Sequence, residues 1–218
     1  MIISLTGFMG CGKSSVGRKL SQLLCCPFMD LDAEIEARAG RSIADIFASD
    51  GEAEFRRIEK ETLSEVLRGW GEGMPGQSLP SQATGPSLCG QRGSTVPSSP
   101  LPSHSASAHS LILALGGGAV MTPECEEMVH RDTVCIYLRA SVDTLIEHLE
   151  GETAGRPLLA NTSVREAERR DNPLLERITK LMALRSSTYE RTAHIILDTD
   201  GKGIDQIAEE IATLHKLQ

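Results

Sequence analysis

The chain has no excess of positive charge, no cysteine pair at ligand spacing and no apolar run long enough to cross a bilayer. Each absence removes a class of function. Lys and Arg number 22 against 30 Asp and Glu, a net charge of -8, which argues against a nucleic-acid or anionic-membrane surface. Any basic pocket must therefore be built from single residues. Six cysteines (Cys11, Cys25, Cys26, Cys89, Cys125 and Cys135) include no C-x-x-C pair, so neither a zinc site nor a disulfide framework is indicated, and reduced thiols in a cytoplasmic protein are expected. No basic segment stands ahead of the apolar residues Ile2-Ile3-Ser4-Leu5, so no secretory signal is expected, and no stretch reaches the length of a membrane span. There is no internal repeat. What remains, 218 residues with 40% apolar and 24% charged, is the composition of one compact soluble domain.

What is present is concentrated first at Gly7-Phe8-Met9-Gly10-Cys11-Gly12-Lys13-Ser14, a complete G-x-x-x-x-G-K-S pattern. It follows an apolar strand and opens a helix, Lys13 to Leu24, with Val16, Leu20, Leu23 and Leu24 apolar. That strand, turn and helix form the setting in which the pattern binds phosphate. Small residues let successive backbone N–H groups, here those of Gly10, Cys11, Gly12, Lys13, Ser14 and Ser15, converge on one anion at a helix N-terminus. Lys13 adds a mobile charge for the outer phosphates, and the Ser14 hydroxyl is placed for Mg²⁺. ATP and Mg²⁺ are the expected cofactors.

Along the chain, Cys26 to Asp30 reads as a second strand ending in Asp30-Leu31-Asp32. Helices follow over Ala33 to Ala39, closed by Gly40, over Ser42 to Phe47, and from about Glu52 to Arg68. Between Met74 and Ser110 there are six prolines, ten serines and one charged residue, Arg92. That composition cannot offset the entropy of ordering it, and it reads as a disordered insertion. Leu111 to Leu115 is a fully buried strand running into Gly116-Gly117-Gly118. Thr122-Pro123-Glu124 starts a helix with Thr as cap. A strand (Thr133 to Leu138), a helix (Ser141 to Leu149), a glycine-containing loop (Gly151 to Thr162), helical segments from Val164 to Thr192, a strand (His194 to Leu197) and a closing helix (Ile204 to Leu217) complete the chain.

Strands alternating with helices predict a five-stranded parallel sheet covered on both faces, a three-layer α/β/α fold. Right-handed crossovers place every strand's carboxyl end on one rim, where ligands bind. The loops at Gly7–Ser14, Asp30–Asp32 and Gly116–Gly118 should then share one cleft. On residues alone, Asp30 and Asp32 serve either as helix caps or as the carboxylates that phosphoryl transfer needs near metal and hydroxyl. Asp198, after a last apolar strand, is a rival metal carboxylate, and Arg56 with Glu59 is a helix-face ion pair. Arg156, in a loop with Gly151 and Gly155, is either a solvated arginine or part of a lid.

The ordered set Gly7–Ser14, Asp30-x-Asp32, Phe55-Arg56-Arg57-Ile58-Glu59, Gly116-Gly117-Gly118-Ala119-Val120, Arg156-Pro157-Leu158-Leu159 and Arg185-x-x-x-Tyr189 resembles shikimate kinases over nearly the whole chain outside Met74 to Ser110. The resemblance implies a P-loop kinase with small substrate-binding helices and a mobile lid at about 151–162. Its reaction would be transfer of the ATP γ-phosphoryl to the shikimate 3-hydroxyl. It implies Lys13, Asp32 and Arg156 as catalytic, Asp30 on Mg²⁺ through water, and Asp32 on substrate hydroxyls. Arg56 and Arg185 would grip the substrate carboxylate beside Gly116, Gly117 and Gly118, with Glu59 orienting Arg56. The family's usual adenine arginine has no counterpart in His148-Leu149-Glu150. A cytoplasmic monomer is expected. The rival readings are a kinase of another hydroxy acid such as gluconate, and a catalytically silent ligand-binding regulator on the same scaffold.

Overall fold

A computed structural model describes residues 1–71, 110–150 and 173–216. The insertion expected at 74–110 lies outside the described residues except for Ser110, and the expected lid at 151–162 with Arg156 lies wholly outside them.

Five strands, β1 (Ile2–Thr6), β2 (Phe28–Asp30), β3 (Leu111–Ala114), β4 (Val134–Arg139) and β5 (Ile195–Asp198), form one sheet in the order β2-β3-β1-β4-β5. Every pairing is parallel. β1 and β3 are buried at every position, as a sheet covered on both faces requires. The polar members of β1 need partners there. Ser4 donates to the Thr133 hydroxyl at 2.7 Å, and Thr133 in turn donates to the Val129 carbonyl at 2.7 Å.

Among the described residues eight α-helices flank the strands: α1 (Lys13–Leu24), α2 (Leu31–Ala39), α3 (Ile43–Ser49), α4 (Gly51–Gly71), α5 (Pro123–Asp132), α6 (Val142–Glu150), α7 (Pro173–Thr192) and α8 (Ile204–Lys216). α1 and α8 pack on each other, and α4, α5 and α7 pack in a second group, giving the expected three layers. The buried face of α1 is Val16 and Leu20, one turn apart. Gly40 ends α2 at φ 66°, a left-handed conformation that favours glycine. Ser42 caps α3 by accepting from the Asp45 N–H. Thr122 departs from expectation: it stands at the N-cap of α5 but its side chain makes no capping bond, and Pro123 already removes one of the donors a cap would serve.

Register fixes the site. Leu5 pairs with Ala114, Thr6 with Tyr137 and Asp30 with Ala114, so Gly7, Asp32 and Gly116 leave neighbouring strands at the same rim. β1 has β3 on one side and β4 on the other, the reversal point at which such sheets form a crevice.

Candidate active site

The loop after β1 curls through positive φ at Gly10 (84°) and Gly12 (88°). These conformations are cheap only for glycine. Gly12 is the N-cap of α1 and offers no side-chain cap, so the helix's first N–H groups are left for an anion rather than for the chain itself. Lys13 is buried, and its Nζ donates to the carbonyls of Gly7 at 3.0 Å and Phe8 at 2.8 Å, with the Cys11 thiol at 3.8 Å. Its charge rests on dipoles, with no carboxylate in bonding contact among the described residues. Ser15, two residues on, is exposed. The far side of the loop is held by α6: the His148 ring nitrogen Nδ1 bonds the Gly10 carbonyl at 2.8 Å.

Asp30 does two things at once. It caps α2 by accepting from the Asp32 N–H at 3.1 Å, and its other oxygen accepts from the Ser14 hydroxyl at 2.6 Å. The two readings open in the sequence are therefore compatible, and hard oxygen donors of both residues lie side by side, the donor chemistry Mg²⁺ takes. Asp198 is placed otherwise. Its carboxylate forms a forked pair with Arg139, with one arm at 2.9 Å, at the exposed end of the edge strand.

The glycine triplet is explained by what stands against it. A Cβ on Gly116 would meet a carboxylate oxygen of Asp32 at 2.5 Å, and one on Gly118 would meet the Arg56 guanidinium at 2.7 Å. At Gly117 it would approach the Met9 backbone nitrogen at 3.3 Å. The turn is thus where the Asp32 carboxylate, the Arg56 guanidinium and the phosphate loop converge. Burial pushes Asp32 above the ordinary carboxylate range and the Asp30 charge adds to the rise, with Lys13 opposing it.

Arg56 donates to Glu59 at 2.6 Å and to Glu52 at 3.3 Å. Glu59 is only 1% exposed, so this pair is not the solvated surface pair that its helical spacing alone allows. Burial pushes Glu59 up, and Arg56 offsets this in part. Burial likewise opposes the charge on Arg56, yet Glu59 and Glu52 outweigh it and hold the guanidinium charged. Arg185, on α7, lies 5.9 Å over the Phe8 ring, beside the phosphate loop. One turn later the Tyr189 hydroxyl donates to the Gly117 carbonyl. That bond and the His148 contact were not anticipated from sequence. The i, i+4 spacing of Arg185 and Tyr189 was the one available sign of a shared face.

Lys13, Ser14, Asp30, Asp32, Arg56, Glu59, Gly116–Gly118 and Arg185 are therefore gathered at one rim, whereas Arg156 lies outside the described residues. A shallow concavity of about 390 Å³ lined by Pro123, Glu126, Glu127, His130 and Arg191 shares none of these groups. The convergence of charge and glycine, not surface shape, marks the site.

A family model for shikimate kinase matches residues 9–71 and 102–216. The chain belongs to the shikimate kinase family. The shikimate kinase of Thermus thermophilus is 35% identical across 96% of this chain and 86% of its own length, and that of Mycobacterium avium is 34% identical across 96% and 90%. The solved structure of a shikimate kinase from Acinetobacter baumannii in complex with shikimate superposes with a TM-score of 0.70 at 26% identity, covering 99% of this chain and 93% of that one. Membership in the shikimate kinase family makes the chain an ATP-using phosphotransferase of the shikimate pathway. Among the described residues no helix is long and apolar enough to cross a membrane.

Proposed function

We propose that the chain transfers the γ-phosphoryl group of ATP to the 3-hydroxyl of shikimate, giving shikimate 3-phosphate and ADP. The observation that carries the reading is the glycine turn, against which the Asp32 carboxylate and the Arg56 guanidinium are packed within reach of the phosphate loop. A base and an acid-binding cation are thereby set beside a phosphate site. Arg56, aimed by Glu59, and Arg185 hold the substrate carboxylate, which a guanidinium fork matches in shape. Asp32 binds the substrate hydroxyls and takes the 3-hydroxyl proton. The hydroxyl oxygen then bonds to the γ-phosphorus as the bond to the β,γ-bridging oxygen breaks and ADP leaves. Lys13 and the loop N–H groups from Gly10 to Ser15 stabilise the charge that develops on the phosphoryl oxygens.

Ser14 and, through water, Asp30 are the residues that would hold Mg²⁺. When bound, the ion neutralises phosphate charge. Arg156 would close over the transferring group from a lid at 151–162 and exclude water. The protein works as a cytoplasmic monomer of one domain interrupted at 74–110, a segment whose larger part, 74–101, the family model passes over.

An ADP-release assay against a panel of hydroxy acids tests the assignment. Turnover with shikimate well above that with gluconate is expected. Preference for gluconate, or no turnover with any acid, would replace it with one of the two rival readings.

A further inference from the structure

A peptide between two glycines can flip at little cost, because neither side chain opposes rotation. In the turn after β3 the neighbouring carbonyls are fixed by backbone donors: Gly116 O accepts from the Ala119 N–H at 3.1 Å and Gly118 O from the Met121 N–H at 3.0 Å. Gly117 O between them is taken instead by a side chain, the Tyr189 phenol. A carbonyl only accepts, so the phenol is the donor and must be neutral. Burial pushes its ionisation well above the ordinary tyrosine value, and the charge of Arg185 opposes that rise without overcoming it. Tyr189 is fully buried and packs on Tyr137 with ring centroids 5.1 Å apart.

The consequence runs through the peptide plane. In a trans peptide the Gly118 N–H points opposite to the Gly117 carbonyl, so anchoring that carbonyl on α7 turns the N–H away from α7. It also settles the position of Gly118, against which Arg56 packs. The same helix carries Arg185 on the same face as Tyr189, one turn earlier.

We propose that Tyr189 is a positioning residue for acid recognition, a latch that keeps the Gly117–Gly118 peptide in one orientation so that the turn, Arg56 and Arg185 meet on a single carboxylate. The proposal rests on the shikimate kinase reading of the site. Tyr189→Phe keeps the ring and its packing and removes only the donor. Its kcat/KM for shikimate should fall about tenfold, mostly through KM, while KM for ATP stays within twofold. With shikimate methyl ester, which lacks the anion the clamp recognises, wild type and Tyr189→Phe should differ little, so the acid-over-ester preference shrinks by the same tenfold. A parallel fall with both substrates, leaving that preference unchanged, would make the bond merely structural and overturn the proposal. A wild-type enzyme that turns over shikimate with no preference for acid over ester would overturn the carboxylate roles of Arg56 and Arg185 themselves, a different failure.

Discussion

The two ends of the same sheet are built on opposite terms. At the carboxyl end of the strands, charges are buried, glycines hold positive φ, and carboxyl groups sit above their ordinary pKa: Asp32 and Glu59 are both pushed up by burial. At the amino end, polar groups are neutral and closed into short chains. Ser4 bonds Thr133, Thr133 bonds Val129, and the His194 ring accepts from the Cys135 N–H at 3.1 Å as the His194 N–H bonds the Cys135 carbonyl at 2.8 Å. One end holds charge at a cost in stability, and the other supplies the stability that tolerates it. Substitutions at the two ends should therefore fail in different assays.

The largest loss is expected at Asp32. Asp32→Asn removes the proposed base and should lower kcat about 10²–10⁴-fold. Its stability should move the other way. Because the folded-state pKa is raised, the contribution of Asp32 to stability is fully present below the unfolded value of about 3.9 and is lost as pH rises through the folded value. At neutral pH the ionised carboxylate is a burden, so Asp32→Asn should melt a few degrees higher than wild type. In the wild-type enzyme the acid limb of kcat/KM should fall above the ordinary carboxylate range. A melting point lowered by the substitution would break the contrast between the two ends.

Lys13→Ala ranks next, with kcat lower by about 10²–10³-fold, as for loss of one oriented donor to developing charge. Lys13 leans on two carbonyls and, among the described residues, forms no ion pair, but its charge opposes the rise of the buried Asp32 carboxyl, so its removal should raise that group further and lower the melting temperature modestly. Arg56→Ala differs in kind. Shikimate binding should weaken by about 2–5 kcal/mol, and Glu59, left buried without its cation, should cost about 3–5 kcal/mol of stability. Arg56→Ala with Glu59→Gln should recover stability but not binding, as followed by chemical denaturation and shikimate titration.

How much of this could be read from sequence follows the same division. Lys13, Asp30, Asp32 and the glycine triplet were legible because phosphate binding demands a fixed spacing and the strand-to-loop order puts them on one rim. The strands came out within one or two residues of their observed bounds because short apolar runs mark them, whether buried throughout, as β1 and β3, or only in part, as β2 and β5. The apolar members of α4, Phe55, Leu63, Val66 and Leu67, are turned inward as their helical spacing requires; what spacing could not supply was what the charged residue on that face, Glu59, would meet. Arg56 with Glu59 and Arg57 with Glu54 and Glu61 have the same helical spacings, yet Glu59 is buried while Arg57 and Glu61 are exposed. Contact with the Gly116 turn, sixty residues on, decides between them. The Tyr189 to Gly117 bond was illegible for the same reason, being a contact between distant segments.

At the amino end a substitution should cost stability alone. Thr133→Val takes away the acceptor for the Ser4 hydroxyl and the donor to the Val129 carbonyl, both buried. The Val129 carbonyl keeps the Thr133 backbone N–H at 3.2 Å, so about 1–3 kcal/mol of stability should be lost for the Ser4 hydroxyl deprived of that acceptor, with kcat and both Michaelis constants unchanged.

The smallest effect is expected for the segment 74–110. Its structure is outside the described residues, but its downstream flank is not: the Leu111 N–H bonds the Met1 carbonyl at 2.9 Å, and Leu111 pairs with Ile2 at the start of β1. That is the amino end, whereas Gly116–Gly118 leave β3 at the other. Strand residues advance about 3.3 Å each, so roughly 17 Å of sheet separates the flank from the substrate-facing turn. Loop length itself is a weak lever, since each doubling adds only about 0.6 kcal/mol of closure entropy. Replacing 74–110 with a short Gly/Ser linker should therefore leave kcat and both Michaelis constants within about twofold and the melting temperature within a few degrees, while abolishing protease cleavage there. A large rise in the shikimate Michaelis constant would mean that this segment reaches the carboxyl rim, and the division between the two ends of the sheet would no longer hold.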